Sequence, residues 1–397
     1  MAAVAQQPPA AGTTEIPAET PHLLSRQALD AYLLTHAGKH TPLDALPPMA
    51  RQRFLDSLVF GSKGLGGFDP GDLVTELTRD EIVRVLALFD AQDYAGVVKS
   101  RRVRASWTWR LQAAHPGEIE RGFDALHHLG DAEKPDALRD AFHALTARFD
   151  GNPDAIARLP ERELVYLLRS IQLGADHAPT PGDVERLRAV VAALRARNIA
   201  QPQDHRMLYD AMLRTRQFEA ARQYASRHVD ANLPQLPRME DPYRDDAPAF
   251  SAWLASADGG ILTRSALDLG PTQLLVTAGC HFSQDAAEDI AGDRVLGPAF
   301  AAHARWLMLP PGQEDLAAMR GWNRRFPDAQ AHLLYDRSEW ALLPPTWRMP
   351  EFFIVHEGKV IDHVTGWPRG DAAQRQALID LLARAGLLDP GKADTAP

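Results

Sequence analysis

The chain has 397 residues, 45% of them hydrophobic, with a formal net charge of −9 and a pI near 5.9. That length suits two or three domains, and the hydrophobic content is ordinary for a globular protein. The acidic balance argues against a general affinity for nucleic acid, and no run approaches the ~18 apolar residues of a membrane span.

Residues 1–23 are rich in Ala, Pro, Gln and Thr and predict a disordered tail. No apolar signal core is visible, yet 2–6, AAVAQ, looks like the residues around a small-x-small cleavage site. The expectation is an exported, periplasmic protein, with a cytoplasmic start as the alternative. Residues 24–232 predict an all-α region, with a further division near Gly130. Ser25 is placed to cap a helix carrying Leu29, Tyr32 and Leu33. Over 49–60, Phe54, Leu55, Leu58 and Val59 share one side. The stretch 61–72, GSKGLGGFDPGD, holds five glycines but lacks the order of a phosphate cradle, so it predicts a turn between helices or a contact surface.

Thr78 and Glu81 fit a capping box ahead of Ile82, Val85 and Leu86. The one basic cluster, 99–110, carries Trp107 and Trp109 and reads as a solvated helix face over a core, or as a face that docks a partner. Helical periodicity continues over 118–129, 135–149 and 164–173, with Gly130 and Gly174 read as stops. Asp183 is placed to cap a helix over 183–197. Residues 207–213 and 218–224 predict a helical hairpin turning at Arg216 and Gln217, similar to one tetratricopeptide-type unit. No regular period accompanies it. The reading is an irregular stack of helical hairpins, whose usual use is to bind another protein.

Residues 233–250 place Pro234, Pro237, Pro242 and Pro248 among Glu240, Asp241, Asp245 and Asp246, which reads as a linker. A short helix is expected over 252–254 and a strand over 261–269. Then comes 273–290, QLLVTAGCHFSQDAAEDI. Leu274, Leu275 and Val276 predict a buried strand. Gly279 breaks it, and Cys280, the only cysteine of the chain, follows. Phe282, Ala286, Ala287 and Ile290 fall at helical spacing. The cysteine therefore sits at a helix start, where unbonded amides and the helix dipole favour an anion, and a thiolate is the nucleophilic form. Downstream, a helix (299–303), a strand (306–309), a helix (314–325) and a strand (331–335) lead through a loop (338–346) to Pro350. A hairpin follows, turning at Glu357-Gly358. A last helix carries Ala377, Leu378, Leu381, Leu382 and Ala385 on one face, and 389–397 reads as a second tail.

This order of strand, Gly-Cys-x-x-Ser, helix, strand, helix, strand, x-Pro, hairpin and helix resembles the thioredoxin superfamily. Gly366-Trp367-Pro368 and the TAGCHFS turn are similar to its exported, thiol-exchange branch. The resemblance covers roughly residues 260–388. It implies a multidomain chain, with an all-α hairpin region followed by an α/β thioredoxin-like domain over 251–388. It implies that Cys280 takes the first-cysteine position, Pro350 the cis-proline position, and Met349 the place before it. Ser283 stands where redox members carry a second cysteine, and without that sulfur a dithiol cycle cannot be finished alone.

Three readings follow: a monothiol that forms mixed disulfides and needs an outside thiol, a site that holds clients, or a thioredoxin-like scaffold with no redox role. The candidate catalytic residues are Cys280, Ser283 and Pro350. His281, Phe282 and Met349 are candidates for substrate contact. Glu351, His356 and His363 lack recognised metal-ligand spacing, and no metal or cofactor is expected. The partners implied are client protein thiols or disulfides, and a protein on the helical region. Against this, a lone cysteine is often a buried small hydrophobe, Ser283 is also a plausible cap for first-turn amides, and Trp340 and Trp347 serve equally as groove or as packing.

Overall fold

The computed structural model describes residues 22–62, 64–101, 107–131, 134–175, 179–243, 248–344 and 347–388. The two expected tails lie outside the described residues, apart from His22 and Leu23. The chain forms two compact units. One reaches to Ala178 and takes in Glu185–Gln201; the other holds Pro179–Val184 and everything from Pro202.

The first unit is mainly helical. In order come α1 (Arg26–Thr35), α2 (Pro48–Asp56), a hairpin of β1 (Val59–Gly61) and β2 (Gly64–Gly67), α3 (Gly71–Glu76) and α4 (Arg79–Ala87). They continue with α5 (Trp107–Ala114), α6 (Glu118–Asp131), α7 (Pro135–Thr146), α8 (Pro153–Ala157), α9 (Glu161–Ala175) and α10 (Pro181–Ala196). The glycine-rich stretch is thus a small antiparallel ribbon and a helix start rather than a plain turn. Ser25 caps α1 through the Ala28 amide at 3.2 Å, and Thr78 and Glu81 form the capping box of α4. At α10 Thr180 and Asp183 cap the helix together: the Asp183 amide donates to the Thr180 hydroxyl at 3.2 Å, and the Asp183 carboxylate accepts the Thr180 amide at 2.8 Å.

Gly130 and Gly174 are each the next-to-last residue of their helices, so both helices end within one residue of the expected stops. At Gly174 a Cβ would come within 2.3 Å of the Phe142 ring on α7. Close packing of α7 on α9 outweighs the ~1 kcal/mol that glycine costs inside a helix. Leu29, Phe54, Leu73, Val85 and Phe89 belong to one dry core in this unit.

Beside that core lies a buried charge cluster. The Arg162 guanidinium donates to Glu120 at 2.7 Å and to Glu76 at 2.6 Å. Arg53 and Arg169 both donate to Asp72, at 2.8 and 2.6 Å, and Trp109 donates its indole N–H to Glu76 at 2.9 Å. Burial, before any other cause, holds the Glu120 carboxyl above its usual range. Trp109 is therefore a core residue, while the Trp107 side chain lies outside the described residues.

The second unit opens with the helical hairpin α11 (Pro202–Arg214) and α12 (Phe218–Arg227). Its strands and helices are β3 (Arg238–Glu240), β4 (Ser251–Ala255), β5 (Ile261–Ala266), β6 (Gln273–Thr277), α13 (His281–Gly292), α14 (Leu296–His303), β7 (Ala304–Met308), α15 (Leu316–Arg325), β8 (Ala331–Leu334), β9 (Glu351–His356), β10 (Lys359–Thr365) and α16 (Ala372–Arg384). Two expectations fail here. Residues 251–255 are a strand, not a short helix, because the fully buried Trp253 lies between β5 and β8 in the sheet. The proline-rich stretch is not simply a linker, since 238–240 pair with β5 at the sheet edge.

Among the described residues these strands form one mixed sheet in the order β10-β9-β6-β7-β8-β4-β5-β3. Strands β6, β7 and β8 run parallel, as the helical crossovers between them require. Strand β9 pairs antiparallel with β6 and with β10. One face buries Leu274, Val276, Trp306 and Ile354 under α13 to α16. The other buries Leu275, Leu307, Phe353 and Val355 with Trp340 and Leu343 from the loop before Pro350. All five residues of β6 are buried, so Cys280 leaves from the centre of the sheet.

Candidate functional site

Strand β6 ends at Thr277, and three residues later Cys280 is the N-cap of α13, with extended backbone (φ −103°, ψ 172°). Gly279 makes the turn possible. Its φ is +152°, and an added Cβ would lie 2.9 Å from a Glu314 carboxylate oxygen and 3.1 Å from the Met349 sulfur. Both the torsion and the space call for glycine. The Cys280 Sγ is half-buried. It lies 3.3 Å from the Met349 carbonyl oxygen and 3.5 Å from the Ser283 hydroxyl.

The segment carrying Met349 is fixed from two sides. The Thr277 hydroxyl donates to the Arg348 carbonyl at 2.8 Å and accepts the Glu351 amide at 3.1 Å. The Gly366 amide donates to the Pro350 carbonyl at 2.8 Å. Between these ties the Met349–Pro350 bond is cis. The end of β6 thus holds the 348–351 segment against the thiol.

Cys280, Ser283, Met349 and Pro350 are brought together. Ser283 is fully buried, and its hydroxyl points at the sulfur rather than capping an amide. His281 and Phe282 point away from that pocket. Their rings pack at 3.8 Å on the exposed side of the first helical turn, and Phe282 is 52% exposed. Farther along α13, Arg369 pairs with Asp285 at 3.3 Å and Glu288 at 2.9 Å, while Arg325 pairs with Glu288 and bonds Gln284. The Trp367 indole donates to Asp289 at 3.0 Å. The solvent side of the helix is therefore tied to two other segments.

No known protein family, curated protein or solved structure matches this chain.

The remaining candidates fall outside the thiol pocket. Trp340 is buried and donates its indole N–H to the Ser251 carbonyl at 3.2 Å. Trp347 lies under the Arg337 guanidinium at 5.6 Å and packs against the core. Both are packing residues. On the last hairpin, Glu351 accepts from the Thr365 hydroxyl at 3.0 Å, His356 bonds Thr272 at 2.9 Å, and His363 stacks on Phe353. His363 also lies 3.8 Å from the Glu351 carboxylate, while His356 keeps a separate partner.

One residue of the site escaped the sequence reading. Glu314 precedes α15, and its carboxylate lies 2.9 Å from where a Cβ on Gly279 would stand. Burial holds that carboxyl above its usual range. Nothing within the segment marks it, because its neighbour at Gly279 is 35 positions away in the chain. The usable signal was indirect: a glycine directly before the cysteine leaves room for another group.

Proposed function

We propose that residues 251–388 form a thioredoxin-like domain and that Cys280 is a single thiol which forms mixed disulfides with client proteins. The observation that carries this is the placement of the Cys280 sulfur at the start of α13, 3.3 Å from the carbonyl of Met349 at the cis bond. An extended client segment lying along the 348–350 loop would bring its own sulfur to that point. The element order around it supports the reading: strand, cysteine, helices, strand, helix, strand, cis-proline, hairpin and helix. Phe282, exposed beside the thiol, offers an apolar contact for the client.

In the step itself, the Cys280 thiolate attacks one sulfur of a client disulfide, an Sγ–S bond forms, and the client's other sulfur leaves as a thiolate. Ser283 lies where a second thiol would attack the mixed disulfide, and a hydroxyl does not perform that attack. Release therefore needs a thiol from the client or a small reductant. Recruitment falls to the helical unit, which exposes Leu34, Val97, Val59 and Tyr94 among its described residues.

The test is intact-mass detection of adducts after incubation with a disulfide-bonded peptide. The native chain is expected to accumulate a mixed disulfide, Cys280→Ser none, and Ser283→Cys a short-lived adduct followed by release of reduced peptide. A native thiol that reacts no faster than in the urea-unfolded chain would overturn the reading and leave a thioredoxin-like binding module without redox turnover.

A further inference from the structure

The turn after α1 builds a cationic cavity within the helical unit. Gly38 takes φ +78°, a conformation that side chains rarely adopt. The chain reverses there, and Thr41 returns within hydrogen-bond reach of the Tyr32 hydroxyl. The cavity measures about 590 Å³ and is lined from Tyr32, through the turn, to Arg51 and Leu55 on α2. Four lining residues carry or can take a positive charge: His36, Lys39, His40 and Arg51. In a chain of net charge −9 this excess runs against the composition. One acid faces them, Asp44, and it is already matched. It accepts the Thr41 amide at 2.7 Å and the Thr41 hydroxyl at 3.0 Å, and it pairs with Arg51 at 2.5 Å. Burial works against its charge, but Thr41, Arg51 and His40 hold the carboxyl below its usual range. Lys39 has no ion-pair partner among the described residues. One wall is aromatic. Tyr32 and His36 stack with ring centroids 4.1 Å apart. The His36 Nδ1 lies 2.9 Å from the Tyr32 carbonyl, so Nδ1 carries the proton of the neutral ring and Nε2 is left as an acceptor.

We propose that this cavity binds a phosphate monoester with an aromatic body. Lys39 and the guanidinium N–H groups of Arg51 not used by Asp44 meet the phosphate oxygens. His40 adds a donor. The free nitrogen of His36 accepts the hydrogen bond of a phosphate oxygen that still holds a proton, which the second phosphate pKa near ~6 allows. A sulfate or carboxylate carries no such proton near neutral pH, so this set of donors and one acceptor suits a phosphate. The aromatic body rests on the Tyr32–His36 wall and on the exposed Leu33 at the rim. The site lies wholly in the helical unit and does not depend on the thiol chemistry.

Isothermal titration calorimetry of the full chain at pH 6.5 tests this with two probes, phenyl phosphate and inorganic phosphate. Phenyl phosphate is expected to saturate one site and to bind more tightly than inorganic phosphate. Lys39→Ala should weaken phenyl phosphate about tenfold; the side chain is exposed, so the fold is kept. Asp44→Asn keeps an oxygen for the Thr41 amide and removes the one opposing charge. It should tighten binding roughly threefold, a gain that misfolding does not produce. Absence of saturable binding overturns the proposal. Equal affinity for the two probes does so too, since it marks an adventitious ion only, and an affinity unchanged in both variants would place the phosphate elsewhere on the chain and overturn it as well.

Discussion

The helical unit and the thiol site both bury ionisable groups, and they treat them in opposite ways. Around Arg162, every charge meets an opposite one: Glu76 and Glu120 on Arg162, and Asp72 on Arg53 and Arg169. At the turn before Cys280, the half-buried Glu314 carboxylate lies against Gly279 and, among the described residues, has no ion-pair partner. A buried pair that is fully matched resists change, because removing one partner strands the other. A buried acid left unmatched keeps its proton exchangeable. The contrast teaches which buried charges hold a fold and which remain available for chemistry.

The sharpest way to break the comparison is at its matched end. Arg162→Ala leaves Glu76 and Glu120 buried and unpaired, and should cost the helical unit roughly 3–5 kcal/mol. Urea unfolding followed by tryptophan fluorescence reads this. A loss under about 1 kcal/mol would show that water reaches the cluster and that its pairing does not hold the unit together.

Between the extremes lies Asp210 on α11. Its two oxygens share the Arg206 Nε–H at 2.8 and 2.9 Å, yet burial first and Asp315 as well push its pKa up to about 6. A carboxyl raised on folding favours the folded state most when protonated. Its contribution is fully present below the ordinary range near ~4 and is lost as pH rises through about 6. The second unit should therefore lose about 2 kcal/mol between pH 4 and 7 from this group. Asp210→Asn should flatten that part of the curve, and chemical denaturation at stepped pH measures both. A curve of the same slope in the variant would mean that other groups set it.

The smallest structural effect is expected at Phe282. Its ring is exposed, so Phe282→Ala should leave stability within about 0.5 kcal/mol. Adduct formation with an apolar disulfide peptide should fall more than with glutathione disulfide. Equal rates for the two probes would show that the client does not rest on this ring.

Much of the second unit was legible from local chemistry. The turn at Glu357-Gly358 has φ of 48° and 70°, as a tight hairpin turn needs, and the Leu-Leu-Val run before Cys280 is a buried strand. Misreadings arose where distant packing decides. That the Phe142 ring leaves no room for a side chain at Gly174 is set by another helix and has no local signal. Ser251–Ala255 showed no alternation because β4 is covered on both sides at Ser251, Ala252 and Trp253. The charge cluster drew no reading, since nothing in the local sequence distinguishes Arg162 or Glu120 from solvated charges. Glu314 was missed for the same reason, being placed by tertiary structure alone.

The hairpin α11–α12 carries a final consequence. Phe218 packs edge-on against Trp253 at 5.4 Å, Arg216 pairs with Asp336 at 2.8 Å, and Gly312, at φ +90°, lies against the α11 backbone where a Cβ would be 2.4 Å from the Asp210 carbonyl. The sheet therefore carries its own pair of helices as a fixed attachment. The natural seam for shuffling this protein into new combinations falls ahead of Pro202, and a fusion partner joined at the proline-rich stretch would inherit a sheet with Trp253 laid bare.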